Sequence, residues 1–348
     1  MSETMKAAVL YGVEDFRLED VPKVQIKHPD ECLVRIGACG ICGSDVHFYR
    51  HAKIGQFVVS SPMSLGHEAA GTVVEVGPEV KHLRPGDRVA IEPGVPCRKC
   101  EFCRTGRYNL CADVIFLAAP PNDGAFAEYL AWPADYLFKL PDSVSLEEGA
   151  MCEPFSVGLH AARRAGIRGG DTVLVTGSGP IGLCAIQAAR ANGATRVIVS
   201  DAVSSRLEKA ISLGASDTIN LTQQPTIEAV KELTAGRGVD VVLECSGAVP
   251  AVHDAVECVK QGGMVQLVGN IMAVNPEIPI QRMVERELTL SGLFRYANCY
   301  PATIAMIAAG QIDLKALITH RYDLAGVIEG IAWVDEHKDA VVKAVVAP

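Results

Sequence analysis

The spacing of apolar residues changes character at Asp171. After that point, short apolar runs alternate with segments whose apolar residues recur at helical spacing. The stretch DTVLVTGSGPIGLCAIQAARANGATRVIVSDA predicts a buried strand at 172–176, a helix at about 180–192 and a second strand at 196–200. This order is a βαβ unit.

The alternation continues downstream. Helices are predicted for SSRLEKAISLGA, TIEAVKELTAG and PAVHDAVECVKQ, and strands for ASDTINL, VDVVLECSG, GGMVQLVG and ELTLSGLF. Strands that alternate with helices favour a parallel sheet covered on both faces. The second half is therefore expected to be a doubly wound α/β domain.

The first half has shorter alternating segments, such as ECLVRIGACG, AGTVVEV and DRVAIEPG, which are broken by Gly and Pro. They predict a β-rich, loop-heavy domain. The stretch KLPDSVSLEEGAMCEPFSVGLHAARRAG has a helical pattern and places the domain boundary near Phe155. Helices at 300–309 and 325–336 and a strand in AVVKAVV are expected to follow, and this strand should return to the first domain.

Composition narrows the class of protein. The 348 residues are 49% hydrophobic, which suggests two globular domains. A formal charge of −9 without a basic patch argues against nucleic acid as a partner and favours small molecules. MSETMKAAVLYGVEDF lacks the pattern of a secretion signal, and the uncharged run at 172–189 is interrupted by glycines. We therefore expect a cytosolic protein without a membrane span.

Four cysteines are clustered in EPGVPCRKCEFCRTGRYNLC, namely Cys97, Cys100, Cys103 and Cys111. In a reducing compartment such spacing indicates metal ligands. Four thiolates can enclose one tetrahedral Zn²⁺ and leave no open position, so the site is expected to be structural. An iron-sulfur cluster would use the same four ligands and remains an alternative.

A glycine-rich turn follows the strand at 172–176. Gly177, Gly179 and Gly182 form G-x-G-x-x-G, and Asp201 ends the next strand. This context predicts a dinucleotide site with pyrophosphate at the helix N-terminus and the Asp201 carboxylate at the ribose hydroxyls. A carboxylate there repels the 2′-phosphate of NADP, so NAD is favoured. Arg206 could be recruited to that phosphate, or it could pack on the adenine or remain solvated.

A second group of possible metal ligands lies in GACGICGSDVHFYR and SLGHEAAG. Cys42, His67 and Glu68 could converge on one ion with an open fourth position, as in catalytic zinc sites. From these residues alone, His67 could equally be a core histidine with Glu68 as its salt-bridge partner. Cys39 and Cys42 also form C-x2-C, the spacing of thioredoxin-like redox sites, although the surroundings do not resemble that domain.

The segments GICGSDVH, LGHEAAGTVVEVG, PGDRVAIEPG and GSGPIG, together with the cysteine loop, resemble the zinc-dependent medium-chain dehydrogenases. CGSDVHFYRHAKIGQF, RYNLC, EPFSVGLHAARRAG and GLFRY are similar to the polyol branch of that family, the sorbitol and xylitol dehydrogenases. The resemblance implies a GroES-like catalytic domain over 1–155 and 297–348, a structural-zinc lobe at about 93–113, a Rossmann NAD domain over 156–296, and a homotetramer rather than a dimer.

The resemblance also implies residue roles. Cys42, His67 and Glu68 match the catalytic zinc ligands, and Glu153 matches a second acid of the polyol branch. Which of the two glutamates coordinates the metal stays open. Ser44 and His47 match a proton relay, although His47 could simply be a surface residue.

Positions that match the coenzyme contacts of the family are Gly177, Gly179, Pro180, Ile181, Gly182, Asp201, Arg206, Val268, Gly269, Asn270, Leu293, Phe294 and Arg295. Positions that match the substrate pocket are Ser44, Phe57, Phe116, Glu153, Arg295 and Tyr296. The two phenylalanines could equally be core residues, and Arg295 a surface residue at a strand end. The remaining cysteines Cys39, Cys152, Cys184, Cys245 and Cys258 match no ligand position and are interpreted as small core residues.

The sequence thus predicts an NAD-dependent polyol dehydrogenase with two zinc ions per chain. The expected reaction oxidises a secondary hydroxyl of a sugar alcohol to the ketose. Hydrogen-bonding side chains at Arg295 and Tyr296 favour a substrate with several hydroxyls. Threonine dehydrogenase and broad secondary-alcohol dehydrogenase are the alternatives within the family. A non-catalytic dinucleotide-binding protein and a zinc-finger-like nucleic-acid module are weaker alternatives.

Overall fold

The computed structural model describes residues 3–272 and 275–348. Met1, Ser2, Ala273 and Val274, which the predicted domains include, lie outside the described residues. The chain forms two compact units. The first comprises the residues up to Glu153, Tyr300–Gly310 and Leu314–Pro348, and the second comprises Pro154–Cys299 and Gln311–Asp313.

The strands are numbered in chain order. They are β1 (Thr4–Gly12), β2 (Asp15–Pro22), β3 (Glu31–Ile41), β4 (Lys53–Ile54), β5 (Phe57–Val58), β6 (Met63–Ser64), β7 (Glu68–Val76), β8 (Arg88–Ile91), β9 (Gly94–Val95), β10 (Ile115–Phe116), β11 (Tyr129–Pro133), β12 (Leu137–Lys139), β13 (Thr172–Thr176), β14 (Arg196–Asp201), β15 (Asp217–Asn220), β16 (Val239–Glu244), β17 (Val259–Leu267), β18 (Thr289–Gly292), β19 (Ile318–Asp323) and β20 (Lys343–Ala347).

The α-helices are numbered in the same way. They are α1 (Gly43–His51), α2 (Glu101–Arg104), α3 (Leu146–Ala150), α4 (Cys152–Arg164), α5 (Pro180–Ala191), α6 (Ser204–Ser212), α7 (Thr226–Leu233), α8 (Val249–Cys258), α9 (Ile280–Glu285), α10 (Tyr300–Ala308) and α11 (Val327–Glu336). Short 3-10 helices occupy Tyr108–Leu110, Ala134–Tyr136 and Lys315–Leu317.

The second unit is built on a parallel sheet with the strand order β15-β14-β13-β16-β17-β18. This is the Rossmann order, in which the direction of winding reverses between β13 and β16. Ligands of such sheets bind outside the carboxyl ends of the strands at that reversal. The predicted doubly wound fold is therefore present, and the predicted strand at 172–176 has the observed bounds of β13.

The first unit has a mainly antiparallel sheet with the order β12-β8-β7-β3-β20-β19, and β11 also pairs with β3. The last strand of the sequence, β20, pairs antiparallel with β3, so it returns to the first unit as the sequence predicts. The apolar core under this sheet includes Phe126, Leu65 and Ile91, all with no exposed surface.

Two local expectations differ from the structure. The helical pattern of KLPDSVSLEEGAMCEPFSVGLHAARRAG begins with the end of β12 and a turn, because Pro141 cannot continue a helix. Helix α3 begins only after Ser145, whose hydroxyl accepts a hydrogen bond from the N–H of Glu148 at 3.2 Å. Helix α9, only six residues long, was not predicted.

The α-helices within residues 3–272 and 275–348 are 4 to 13 residues long. None of them combines the length and the apolar character that crossing a bilayer requires.

Candidate active site and coenzyme pocket

Pairing of β3 with β7 brings two of the predicted metal ligands together. Gly40 of β3 lies opposite Glu68 of β7, and Cys42 follows directly at the start of α1. A side chain at Gly40 would overlap the Glu68 carboxylate, so a larger residue there would displace that carboxylate. The donor atoms of Cys42, His67 and Glu68 all lie within 4.8 Å of one another.

Asp45 orients this group, although the sequence analysis did not single it out. Its carboxylate accepts hydrogen bonds from the N–H groups of Cys42 at 2.8 Å and Gly66 at 3.1 Å. It also lies 3.8 Å from Nδ1 of His67. Burial raises the pKa of Asp45. An acid at the third helical position, as here in α1, often bonds back to the helix start and was the available sequence signal.

Glu68 is held by a buried lysine. Nζ of Lys343 donates to both carboxylate oxygens of Glu68, at 2.7 and 2.8 Å, and to the carbonyl oxygen of Ile41 at 3.2 Å. Burial lowers the pKa of Lys343, but the neighbouring Glu68 carboxylate and Cys42 sulfur raise it by more. Lys343 therefore carries its charge and fixes the Glu68 side chain.

The donor group is rich in negative charge. Burial lowers the pKa of His67, but Cys42, Asp45 and Glu153 raise it well above the usual value. Glu153 is itself buried and belongs to the same unit, although it lies outside the compact group of three donors. A thiol, an imidazole and a carboxylate in this setting fit a zinc ion, which would neutralise the surplus charge.

The predicted proton relay lies on α1. The Oγ atom of Ser44 is buried and has no hydrogen-bond partner among the described residues. Such an atom is unfavourable unless a ligand group or water meets it. One turn further, the ring of His47 lies 4.5 Å from the ring of His51. Burial and His51 lower the pKa of His47.

The two predicted pocket phenylalanines have different surroundings. The ring of Phe116 lies 5.7 Å from the ring of His67, so the structure places it next to one of the predicted metal ligands. Phe57 is exposed on β5 and does not belong to the core cluster of the first unit. Aromatic core packing therefore does not explain Phe57.

A buried acid that the sequence analysis missed connects the cysteine loop to this unit. Glu92 accepts a hydrogen bond from the hydroxyl of Tyr108 at 2.8 Å, and its carbonyl oxygen accepts one from Nε1 of Trp132 at 2.9 Å. Burial raises the pKa of Glu92 to about 7, with a further contribution from Glu153. The isolated acid in AIEPG was the only sequence signal.

The four loop cysteines converge. The sulfur atoms of Cys97, Cys100, Cys103 and Cys111 all lie within 4.8 Å of one another. Backbone N–H groups of Lys99 and Cys100 lower the pKa of Cys97 to about 6, which favours a thiolate. Four thiol donors in a closed group fit a tetrahedral zinc ion with no free position.

A pocket of about 380 Å³ lies at the carboxyl ends of β13 and β14. It is lined by the predicted residues Gly177, Gly179, Asp201 and Arg206, and also by Thr176, Ser200, Ala202, Leu221, Thr226, Cys245, Ser246, Ala248, Pro250, Ala251 and Asp254. This position and volume suit the adenosine half of a dinucleotide. Cys245 is half-buried and lines the pocket, so its interpretation as a core residue was wrong.

Asp201 is fixed at the floor of this pocket. One carboxylate oxygen accepts hydrogen bonds from the N–H of Ser178 at 2.6 Å and from its hydroxyl at 2.9 Å. The other accepts one from the N–H of Val203 at 2.9 Å. The glycine turn is equally constrained, because a side chain at Gly182 would overlap the carbonyl oxygen of Gly177. Pro180 and Ile181 begin α5 beside it.

The other predicted coenzyme residues lie beyond this pocket. Val268 and Gly269 each donate a backbone hydrogen bond to the carbonyl oxygen of Glu244, at 2.8 Å, and Asn270 follows them. Leu293, Phe294 and Arg295 follow β18. Arg295 has a φ of +52°, and its guanidinium lies 4.8 Å from the centre of the Phe294 ring. Tyr296 is buried.

Comparison with known proteins identifies this architecture. Residues 28–142 match the alcohol dehydrogenase GroES-like domain, and residues 180–309 match the zinc-binding dehydrogenase family. Sorbitol dehydrogenase of Bacillus subtilis is 44% identical over 99% of this chain and 98% of its own length. The chain belongs to the zinc-dependent medium-chain dehydrogenase family.

Two further relatives agree with this assignment. Sorbitol dehydrogenase of Gallus gallus is 45% identical over 93% of this chain and 91% of its own. A solved oxidoreductase/dehydrogenase of unknown specificity from Escherichia coli superimposes with a TM-score of 0.95 at 37% identity, over 99% of each chain. The predicted family, its polyol branch and the GroES-like plus Rossmann fold are confirmed, and membership of this oxidoreductase family implies zinc and NAD as cofactors.

Proposed function

We propose that this chain is a zinc polyol dehydrogenase that oxidises a secondary hydroxyl of a sugar alcohol, of the sorbitol or xylitol type, to the ketose and uses NAD. The observation that carries the proposal is the convergence of Cys42, His67 and Glu68 within 4.8 Å, in a chain that also has the Rossmann sheet and Asp201. The similarity to sorbitol dehydrogenases over nearly the whole chain supports the substrate class.

In this proposal Cys42 and His67 hold the catalytic zinc, with Glu68 or Glu153 as the third protein ligand. Zinc, when bound, supplies a Lewis acid for the substrate hydroxyl. Lys343 favours Glu153 in that role whenever it holds both oxygens of Glu68. Asp45 fixes the backbone at Cys42 and at Gly66, the residue before His67, by accepting hydrogen bonds from their N–H groups.

Ser44 and His47 are proposed to remove the proton of the alcohol. The buried hydroxyl of Ser44 has no hydrogen-bond partner among the described residues, so it is available to accept a proton from the substrate and pass it on. His47 has a lowered pKa and is therefore neutral near pH 7, which is the form that accepts a proton.

NAD supplies the hydride acceptor, and the glycine turn, Asp201 and Arg206 are proposed to bind its adenosine and pyrophosphate. Val268, Gly269, Asn270, Leu293, Phe294 and Arg295 are proposed to contact the remainder of the coenzyme. The two hydrogen bonds from Ser178 strengthen the case for NAD, because they hold the Asp201 carboxylate where it would repel a 2′-phosphate.

Selectivity for a polyol is proposed to come from Arg295 and Tyr296. A guanidinium and a phenol can bond several hydroxyls, and a simple alcohol would leave these groups without partners. Phe57, which is exposed, and Phe116, next to His67, are proposed to form the apolar wall. Threonine dehydrogenase and broad secondary-alcohol dehydrogenase are not favoured by the similarity to sorbitol dehydrogenases.

Initial rates of NAD reduction test this function. The panel contains sorbitol, xylitol, ribitol, galactitol, L-threonine and 2-butanol, with NADP in place of NAD and with a chelator as further arms. We expect polyols to exceed the other substrates by at least about tenfold, and we expect chelation to abolish the rate. Faster turnover of threonine or 2-butanol would refute the polyol assignment while leaving the zinc dehydrogenase intact.

We propose that the chain assembles into a homo-oligomer, and we favour a tetramer over a dimer. We also propose that the protein is cytoplasmic, because cysteine ligands stay reduced in that compartment. Among the described residues, strand β18 pairs on one side only and forms an edge of its sheet, and α9 exposes Ile280 and Val284 nearby in sequence. Both features suit contact with a second copy. Light scattering of a Val284→Glu variant should show dissociation, and an unchanged mass would count against this surface.

A further inference from the structure

A second pocket in the coenzyme unit is lined by basic side chains. It measures about 500 Å³ and includes Lys231, Arg237, Lys260, Arg282 and Arg286, which we call the basic pocket. The pocket is built from the end of α7, the amino end of β17, the end of α8 and helix α9.

The basic pocket is separate from the nucleotide pocket. Gly238 and Lys260 stand at the amino ends of β16 and β17, whereas the glycine turn stands at the carboxyl end of β13. In a parallel sheet these ends form opposite edges. A ligand of the basic pocket would therefore not compete with NAD for space.

Two buried or half-buried acids hold four of the cations in place. Asp240 accepts hydrogen bonds from both terminal guanidinium nitrogens of Arg237, at 2.6 and 3.1 Å, and from Nζ of Lys260 at 2.6 Å. Glu257 accepts two bonds from Arg282, at 3.0 and 3.2 Å, and lies 4.0 Å from Arg286. These contacts fix the side chains before any ligand arrives.

The charges are not fully balanced by these acids. Glu285 adds a third carboxylate, 3.5 Å from Arg282, against the five cations. The ammonium group of Lys231 makes no ion pair within residues 3–272 and 275–348, and Arg237 and Arg282 are about half exposed. The residues that line the pocket include five cations and one carboxylate, Glu257, while Asp171, which is outside the lining, also raises the pKa of Arg237.

The shape also admits a ligand. Gly236 and Gly238 have φ values of +81° and +82°, so the loop between α7 and β16 turns tightly, and a side chain at Gly236 would meet no atom within 4 Å. A pocket of this volume holds a molecule of metabolite size. Exposed guanidinium edges pair well with phosphate oxygens.

We propose that the basic pocket binds a phosphorylated small molecule, with the phosphoryl groups held by Lys231, Arg237 and Arg282. The shared chemistry is a phosphoryl group with at least two negative charges. The source is either a phosphorylated sugar or a nucleotide, and the experiment below separates the two.

Calorimetric titration of the full-length enzyme tests the proposal. The coenzyme site is first saturated with NADH, and fructose 1,6-bisphosphate and ATP are then titrated in separate arms at about 50 and 200 mM salt. We expect one of them to bind with a defined stoichiometry and more weakly at the higher salt. No binding in either arm would overturn the proposal, and so would equal affinity for a polycarboxylate of the same charge.

Variants locate the site. Lys231→Glu combined with Arg282→Gln should weaken binding at least about tenfold, because two of the three proposed phosphoryl contacts are removed. Lys27→Glu in the other unit lowers the net charge by 2, against 3 for the double variant, at an exposed position and should leave binding unchanged. Unfolding temperatures identify any variant that fails to fold, and unchanged affinity in a folded double variant would contradict the assignment.

Discussion

At the scale of residues, the first unit contains a buried pair of opposite charges. Glu68 and Lys343 have 1% and 4% of their surface exposed and bond each other directly. Two ions pay a large desolvation cost in such a place, and only their mutual contact offsets it. Loss of either partner therefore leaves the other as an uncompensated charge.

Lys343→Met should lower the free energy of unfolding by about 3–5 kcal/mol, because the buried Glu68 carboxylate then loses both of its hydrogen bonds to the Lys343 ammonium group. Denaturant unfolding of the zinc-loaded enzyme measures this loss. Lys338→Met is the control, since that side chain is 69% exposed and a change within about 0.5 kcal/mol is expected. A Lys343 variant as stable as the control would show that the pair contributes nothing.

Glu92→Gln should change the pH dependence of stability. The pKa of Glu92 is raised to about 7 in the folded chain from 4.5, so the folded chain binds the extra proton between these values. This proton uptake contributes its full stabilisation below about pH 4.5. As the pH rises through 7, the free energy of unfolding falls by about 3 kcal/mol. The variant lacks this pH-dependent loss. Its free energy of unfolding should therefore rise relative to that of the wild type between pH 5 and pH 8.

Urea unfolding at both pH values checks this sign, with the exposed Glu79→Gln as a control that should follow the wild type. A difference between Glu92→Gln and wild type that is the same at pH 5 and pH 8 would refute the prediction.

The sequence revealed some site residues and concealed others for a physical reason. Cys42, His67 and Glu68 stand in short motifs. The residues alone left a core histidine as an equal alternative, and the resemblance to the family predicted the ligand group. Lys343 lies in the apolar run AVVKAVV, and its partner is 275 residues away. A buried lysine predicts a carboxylate partner, but no local pattern can identify which carboxylate it is.

At the scale of elements, the turn between β13 and α5 depends on close backbone approach. Gly182→Ala should destabilise the coenzyme unit and weaken NAD binding, because the new methyl group overlaps the carbonyl oxygen of Gly177. Gly179→Ala meets no protein atom within 4 Å, so it should leave stability intact and weaken only NAD binding.

Thermal unfolding and NADH fluorescence titration separate the two effects. Equal stability of both variants would contradict the account of Gly182, and undiminished NADH affinity of Gly179→Ala would contradict a pyrophosphate at this turn.

The cysteine loop should hold its own metal. Cys103→Ser removes one of four sulfur donors, two of which lie within 3.9 Å of Cys103. Elemental analysis should then show zinc falling from about two ions per chain to about one, while NADH affinity is retained. Two zinc ions in the variant, or fewer than two in the wild type, would refute the structural site.

The central strands of the second unit, β13, β14 and β16, were predictable because each is a buried apolar run between turns. Helix α9 was missed because it has only six residues, too few for the apolar spacing of Ile280, Met283 and Val284 to repeat. Pairing of β3 with β20 was anticipated only in outline, since register depends on contacts between distant segments.

At the scale of the whole molecule, the first unit is formed by segments that precede and follow the second unit in the sequence. Its central strand β3 pairs with β7 and β11, which precede the second unit in the sequence, and with β20, which follows it. The second unit, in contrast, is made almost entirely from one continuous stretch, Pro154–Cys299.

This arrangement determines the order in which the two units can fold during synthesis on the ribosome. Lys343 is synthesised 275 residues after Glu68, a delay on the order of tens of seconds at usual translation rates. The coenzyme unit can complete its sheet during that interval, whereas Glu68 must wait for its counter-charge. The nascent metal-binding half would therefore stay open to solvent and to chaperones until β20 emerges and closes the sheet.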